Sequence, residues 1–443
     1  MQISLVHISL KRIAYLVIML GGSAVHATII NVPADIDSIQ GGINLAHDGD
    51  TVLVQPGTYV ENINLCAKRI TLGSLTLVAG DTSYISRTII DGDSVGNVIR
   101  IESGEDSTTI INGFTTINGA AEFGGGIYCN DSSPRLMNLA VRGNRADYGG
   151  GIRCLNSSPE VTNVLISHNA AGHGGGGMDN FGSSPTLLNC TFLNNSAVDY
   201  GGGLSNDLSS PALTGCVFSG NTSNTGGGIS NYTYSDVLLY SCTIVNNEAI
   251  TGGGMWNGGS SPIITNSIFW DNAPDEISGT SSTVTYSNFQ GGYPGEGNLD
   301  SDPLFCGPDS GNYYLAENSP CAGSGEAGND MGALGVGCGP MLGTHDGNLA
   351  PLRFDLLQSY PNPFNPVSTI RYDLPQASDV SLIVYNLLGR EVATLVDSYI
   401  EPGYHKVLWD SRDARGREVP SGIYIARLVT PEYSQSIKMV LLK

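Results

Sequence analysis

Residues 154–352 contain no lysine and no arginine, yet hold 17 aspartates and glutamates. Over the 443-residue chain only 14% of side chains are charged, and the formal net charge is −21. A surface of that sign repels phosphate backbones and anionic bilayers, so nucleic acid is excluded as a partner and polyanionic glycans are poorly served. Long apolar runs are scarce too. After Leu20 no segment is apolar enough to cross a bilayer. No Cys-x-x-Cys or Cys-x-x-His spacing supports a zinc site. Helical periodicity is missing from residues 70–118, where β-branched stretches at 70–72, 75–78, 88–90, 98–101 and 109–111 read as short strands between Gly/Asp turns.

What the chain does have is glycine, 59 residues of it, much of it in a recurring triplet. The triplet ends at Gly126, Gly151, Gly177, Gly203, Gly228 and Gly254, a spacing of 25 or 26 residues, and an apolar residue follows each time. A fixed period in this range signals stacked repeats. Each unit, over about 119–275, continues with Ser-Ser-Pro (Ser-Asp-Val at 235–237), an inward apolar residue (Leu136, Val161, Leu187, Leu213, Leu239, Ile264), a second one (Val141, Ile166, Phe192, Phe218, Ile244, Phe269) and an asparagine (Asn144, Asn169, Asn195, Asn221, Asn247, Asn272). One unit cannot bury its apolar residues alone. Copies stacked at the ~4.8 Å strand spacing bury continuous columns, with three short strands expected per coil and on the order of ten coils. The glycines then mark a corner that needs positive φ or close backbone approach, and the asparagines a corner where αL geometry and stacked amides are expected.

The ends read differently. Lys11 and Arg12, the apolar run 13–20 and Val25-His26-Ala27 predict a secretory signal peptide over 1–27. Residues 38–46 have helical spacing and are expected to lie over the first coil as a cap. The opening GDTVLVQPGTYVENI at 49–63 resembles the first coil of the pectin-lyase-like right-handed parallel β-helix superfamily, and the Gly-Gly-Gly-apolar plus Phe-x-x-Asn pairing resembles the repeat of polymorphic outer-membrane protein adhesins. In that pairing Phe192/Asn195, Phe218/Asn221 and Phe269/Asn272 match in full. Residues 283–338 resemble the terminal coil of secreted β-helices, and 339–352 read as a linker. From 353 to 443 lysine and arginine return. Here Tyr360-Pro361-Asn362-Pro363-Phe364-Asn365-Pro366, Trp409-Asp410 and Ser421-Gly422-Ile423-Tyr424 resemble the C-terminal sorting domain of type IX secretion substrates, related to the Ig-like domain of hook-capping proteins. The fold class expected is therefore all-β: a right-handed parallel β-helix over 28–338, then a small Ig-like β-sandwich. The resemblance implies recognition of residues 353–443 by type IX-like secretion machinery and a secreted or outer-membrane-surface location.

Nine cysteines occur. Cys190, Cys216 and Cys242 share one column and Cys129 and Cys154 another; both are expected to face inward as free thiols, because the coil spacing exceeds the ~3.8 Å Cβ separation a disulfide prefers. Cys66 is expected to be buried likewise. Cys306, Cys321 and Cys338 are expected to form one disulfide, with the pairing open. Before the triplets runs an exposed polar column, Asp147, His173, Asp199 and Asn224, with Tyr148 and Tyr200 beside it. Such a column could bind a sugar or a Ca²⁺ ion, or supply a general acid. Gly172-His173-Gly174 matches a short polygalacturonase motif, but that family's paired aspartates and Arg-x-Lys element have no counterpart. Polysaccharide lyases of this fold use a basic residue, whereas Arg135, Arg142, Arg145 and Arg153 fall at different repeat positions and read as solvated surface. No catalytic residue is assigned. With no long loops to build a cleft, a non-catalytic adhesin-like or glycan-binding protein is expected, and a polysaccharide hydrolase or lyase is the alternative. A groove with two carboxylates about 5 to 9 Å apart, or a carboxylate next to an arginine, would favour the enzyme, and a smooth solenoid the binder.

Overall fold

The computed structural model describes residues 27–340, 354–357, 359 and 361–442. The expected signal peptide and linker lie almost wholly outside them. Residues 29–289 form three long parallel sheets of eleven, ten and nine strands, the parallel β-helix the period predicts. Each regular unit places one strand in each sheet. The stacked pairs are the ones the columns require: Leu136 with Val161, Val141 with Ile166, and Ile152 with Met178. All six side chains are fully buried, and each such burial is worth about 1.5–3 kcal/mol.

The helix Ile39–Leu45 covers the first coil as expected. Ser38 caps it by accepting from the Gly41 amide, the Glu61 carboxylate accepts from the Ile39 and Gln40 amides, and Ile39 and Ile43 plug the open core. Three expectations are corrected nearby and at the far end. Residues 75–78 do not form a strand: Thr76–Ala79 is a helical turn closed by Gly80 in the left-handed region. A run of four such residues cannot by itself separate a strand from a helical turn, and here the Leu77 side chain folds back over Gly73. Cys66 is exposed, because Leu65 takes the inward position and Cys66–Ala67 make the turn with positive φ. Residues 305–338 do not lie over the end of the stack. Their Phe305, Tyr313, Leu315 and Met331 pack outside the ten-stranded sheet against Val217, Val245, Ile268 and Trp270. Tyr293, packed on Phe289, covers the last coil instead. The disulfide joins Cys306 to Cys338 and leaves Cys321 buried and free, its pKa pushed up by burial to about 12. The five cysteines of the two columns are buried and unbridged.

Both corner motifs have identifiable work. The first glycine of a triplet has positive φ (Gly175, 65°), and the third sits so close to the next coil that a Cβ on Gly203 would lie 2.6 Å from the Gly228 carbonyl oxygen. The column asparagines form a one-way ladder: the side-chain amide of each donates to the Oδ1 of the next, from Asn144 through Asn169, Asn195, Asn221 and Asn247 to Asn272, at 2.9–3.0 Å. They are not the αL residues, however. The residue before each takes that geometry, as His168, Asn194 and Asn246 do. A second ladder inside the triplet strands, Asn180–Asn206–Asn231–Asn257, continues the Cys129–Cys154 column.

The outer ladder ends on an acid. Asn272 donates its side-chain amide to Glu276, whose pKa is pushed up to about 8 by burial, with Asp271 and Asp275 adding to the effect and the Asn272 donors opposing it. The folded-state value exceeds the ordinary glutamate value of 4.5. Glu276 therefore contributes its full stability below pH 4.5, and that contribution is lost as pH rises towards about 8. Glu276→Gln, which retains an acceptor for Asn272, is expected to match the parent near pH 4 and to exceed it at pH 8 by on the order of a few kcal/mol. Denaturant titrations at the two pH values measure this, and equal differences at both would refute it.

The described C-terminal residues form a separate antiparallel unit with sheets of three and four strands, built around Trp409, Phe364, Ile370, Tyr372, Leu382 and Met439. This agrees with the small β domain expected there. Among the described residues no helix is long and apolar enough to cross a membrane.

Candidate functional site

The outer face of the nine-stranded sheet is where chemistry collects. Strands Ile152–Leu155, Met178–Phe181 and Leu204–Asp207 turn their first and third residues inward and their second and fourth outward. Stacking therefore sets Arg153, Asp179 and Ser205 in one outward column, and Leu155, Phe181, Asp207 and Tyr232 in the next.

Beside this face runs a short four-stranded sheet that includes Arg145–Tyr148 and Ala170–Gly174. Its register shifts after Ala146, because the His173 unit carries one extra residue, and Tyr148 pairs with Gly174. Gly174 in turn bridges Tyr200. A glycine thus stands between two tyrosines in one column. The missing side chain opens a cleft of about 430 Å³, lined by Tyr148, Arg153, Gly174, Asp179, Phe181, Tyr200, Ser205, Asp207 and Tyr232. A Cβ on Gly174 would approach Asp179 Oδ1 to 3.1 Å and Ser205 Oγ to 3.4 Å, so these groups form the floor. The solenoid therefore makes a cleft without long loops, contrary to the expectation from the regular coils.

Arg153 is not the solvated surface residue expected: its side chain is 9% exposed and ion-paired with Asp179, itself 6% exposed. The guanidinium lies within cation–π range of Phe123, Tyr148 and Phe181 (5.3–5.9 Å). Burial pulls its pKa below the ordinary arginine value, opposed by Cys154, Tyr128, Tyr148 and Asp207. Its Nε has no hydrogen-bond partner among the described residues. Burial holds the Tyr232 hydroxyl well above the usual phenol range, with Tyr200 adding to the shift, so at neutral pH it is a hydrogen-bond donor and not a base. Arg135, by contrast, is half-exposed and pairs with the exposed Glu160.

The sequence candidates divide at this point. Tyr148 and Tyr200 line the cleft. His173 and Asp199 form a pair outside that lining, with Nδ1 and Oδ2 2.8 Å apart, and Tyr148 stacks on the imidazole at 5.1 Å. Asp147 is exposed beside Gly172 and is not part of the cleft. Asp179, Phe181, Ser205, Asp207 and Tyr232 carry no motif in the sequence, and Arg153 reads there only as solvated surface. The available signal was positional: they stand two or four residues after the last triplet glycine, where the units differ most in chemistry. Among the described residues no group of three or more His, Cys, Asp or Glu side chains is placed to hold a metal ion.

No protein-family model and no curated protein matches the chain. Among solved structures it is similar to bacteriophage CBA120 tailspike protein 2, enzymatically active domain, at 11% identity over 94% of this chain and 76% of that one, with a TM-score of 0.34. It is also similar to dimeric latent PorU from Porphyromonas gingivalis, at 24% identity over 21% of this chain, TM-score 0.18. A third similarity is to PorZ of the same organism, an essential surface component of the type-IX secretion system, at 24% identity over 20% of this chain, TM-score 0.16. The match spans 10% of the PorU chain and 11% of the PorZ chain.

Proposed function

We propose that this is an exported cell-surface or extracellular protein that binds a neutral saccharide in the cleft, with residues 353–443 addressing it to type IX-like secretion machinery. The observation that carries the reading is the lining itself. Four aromatic side chains, Tyr148, Phe181, Tyr200 and Tyr232, surround a fixed Arg153–Asp179 pair, with Ser205 and Asp207 beside it. Flat apolar rings suit the C–H faces of a pyranose, and a few fixed donors and acceptors suit its hydroxyls. Arg153, Asp179 and Asp207 together leave the cleft one negative charge in excess, which disfavours uronates and sulfated sugars.

One observation favours a second reading, a polysaccharide hydrolase or lyase. Asp179 lies next to an arginine in a groove, and Asp207 supplies a second carboxylate to the same cleft. A glycan array with and without Ca²⁺, run beside reducing-end and unsaturated-product assays, separates the two. Gly174→Phe is the matching variant, because it restores an aromatic side chain between Tyr148 and Tyr200 and fills the cleft. It is expected to lower saccharide affinity at least about tenfold, or about 1.4 kcal/mol, and, because its Cβ crowds Asp179 Oδ1 at 3.1 Å, to lower the denaturation midpoint as well. Unchanged binding refutes the cleft. Turnover by the parent protein that Asp207→Asn abolishes makes it an enzyme.

A further inference from the structure

The corner that follows each triplet strand is held in the left-handed region in coil after coil. Asp131, Asn156, Gly182 and Gly259 occupy it with φ of 48–76°, and all four are ordinary turn formers. The next two coils differ. Leu208 (φ 51°) sits at this corner, and the coil after it widens the corner by one residue, so that Thr233 (φ 36°) takes the equivalent position and Tyr234 (φ 56°) follows it; Leu208 and Tyr234 each stand just before the buried serine of their unit, Ser209 and Ser235. A bulky side chain in this region is strained. Neither is repaid by burial: Leu208 is 50% exposed and Tyr234 is 77% exposed. Strain kept without a packing return points to a use outside the fold.

Their position says which use. Leu208 directly follows Asp207, and Tyr234 lies two residues after Tyr232; Asp207 and Tyr232 are paired neighbours that line the cleft. The neighbouring coil adds Phe181, also in the lining and 38% exposed. We propose that Leu208 and Tyr234 form a second saccharide subsite, an apolar platform for the sugar units of a linear glycan that emerge from the cleft across this corner. The proposal rests on the saccharide reading of the cleft and extends it from one sugar to a chain. The platform carries no charge of its own, so its ligand is neutral like that of the cleft, and recognition there is by ring stacking.

The test is the paired substitution Leu208→Gly with Tyr234→Gly in the full chain. Calorimetric titration would use cello-, xylo-, manno- and malto-oligosaccharides, each as disaccharide and hexasaccharide. Glycine is at ease at positive φ, so the denaturation midpoint is expected to hold or rise. Affinity for the hexasaccharide that binds is expected to fall about tenfold, while that for its disaccharide is kept. The pair Leu208→Asn with Tyr234→Asn, copying the residue at 156, gives the same readout should the glycine pair fold poorly. Equal loss for both lengths, or no loss for either, overturns the platform and leaves the cleft standing. A parent protein that binds none of these sugars overturns the saccharide reading and the platform with it.

Discussion

Asp179→Leu is expected to cost about 3–5 kcal/mol of stability, because it strands the Arg153 guanidinium inside a wall of aromatic rings. Removing one partner of a buried pair leaves a charge that neither water nor protein compensates. Replacing both partners is a different experiment. Arg153→Met combined with Asp179→Leu is expected to recover most of the loss, since two apolar side chains of similar volume need no desolvation repaid. The cycle is measured by denaturant unfolding and by hydrogen exchange of the coils that carry 153 and 179, because a stacked solenoid can open locally. A double variant as unstable as Asp179→Leu alone would mean that the pair is held for packing and not for charge balance. The same double variant should lose the cleft's polar floor and with it saccharide binding, so stability and function separate in one set of proteins.

The second large effect lies in the outer ladder. Asn221 accepts from the backbone and side-chain amides of Asn195 and donates to the Phe192 carbonyl and to Asn247 Oδ1. Asn221→Ala keeps none of these side-chain bonds. It orphans the buried Asn195 amide and the Phe192 carbonyl, and each buried unsatisfied group costs about 1–3 kcal/mol. The expected total is several kcal/mol, concentrated in the middle coils. Asn224→Ala is the control. It is three residues away and exposed, and a change within about 0.5 kcal/mol is expected. Denaturation midpoints of the two variants that coincide would show that the ladder adds nothing to the stack.

Much of this was legible in the sequence because the solenoid repeats its reasons. A Leu or Phe recurring every 25 or 26 residues can only mean a column, and the expected inward residues are the buried ones. The ladder of asparagines, the free thiol columns and the cap helix follow the same logic: each is a local preference that stacking reinforces. Misreadings came where repetition stopped. Leu75–Val78 had the composition of a strand, but no second copy to pair with decided the matter, and it became a helical turn. The segment after 299 had no repeat to align with, and its packing on the outer face of the ten-stranded sheet depends on contacts with residues such as Val217 and Trp270, far away in sequence.

The site shows the division most sharply. Tyr148 and Tyr200 were visible beside an exposed polar column, and the solenoid holds them in register across Gly174. The sequence by itself determined the coil, its period, its inward columns and the absence of positive charge from most of its surface, because each depends on spacing alone. Tertiary structure decided the cleft. Arg153 looked like an ordinary surface arginine until the next coil placed Asp179 against it and three rings around it. Gly174 stood out in sequence only as part of Gly172-His173-Gly174, and a one-residue register shift sets it between two tyrosines. Outward columns carry no hydrophobic pattern to betray their partners, so which side chains meet there is fixed only when the coils are stacked.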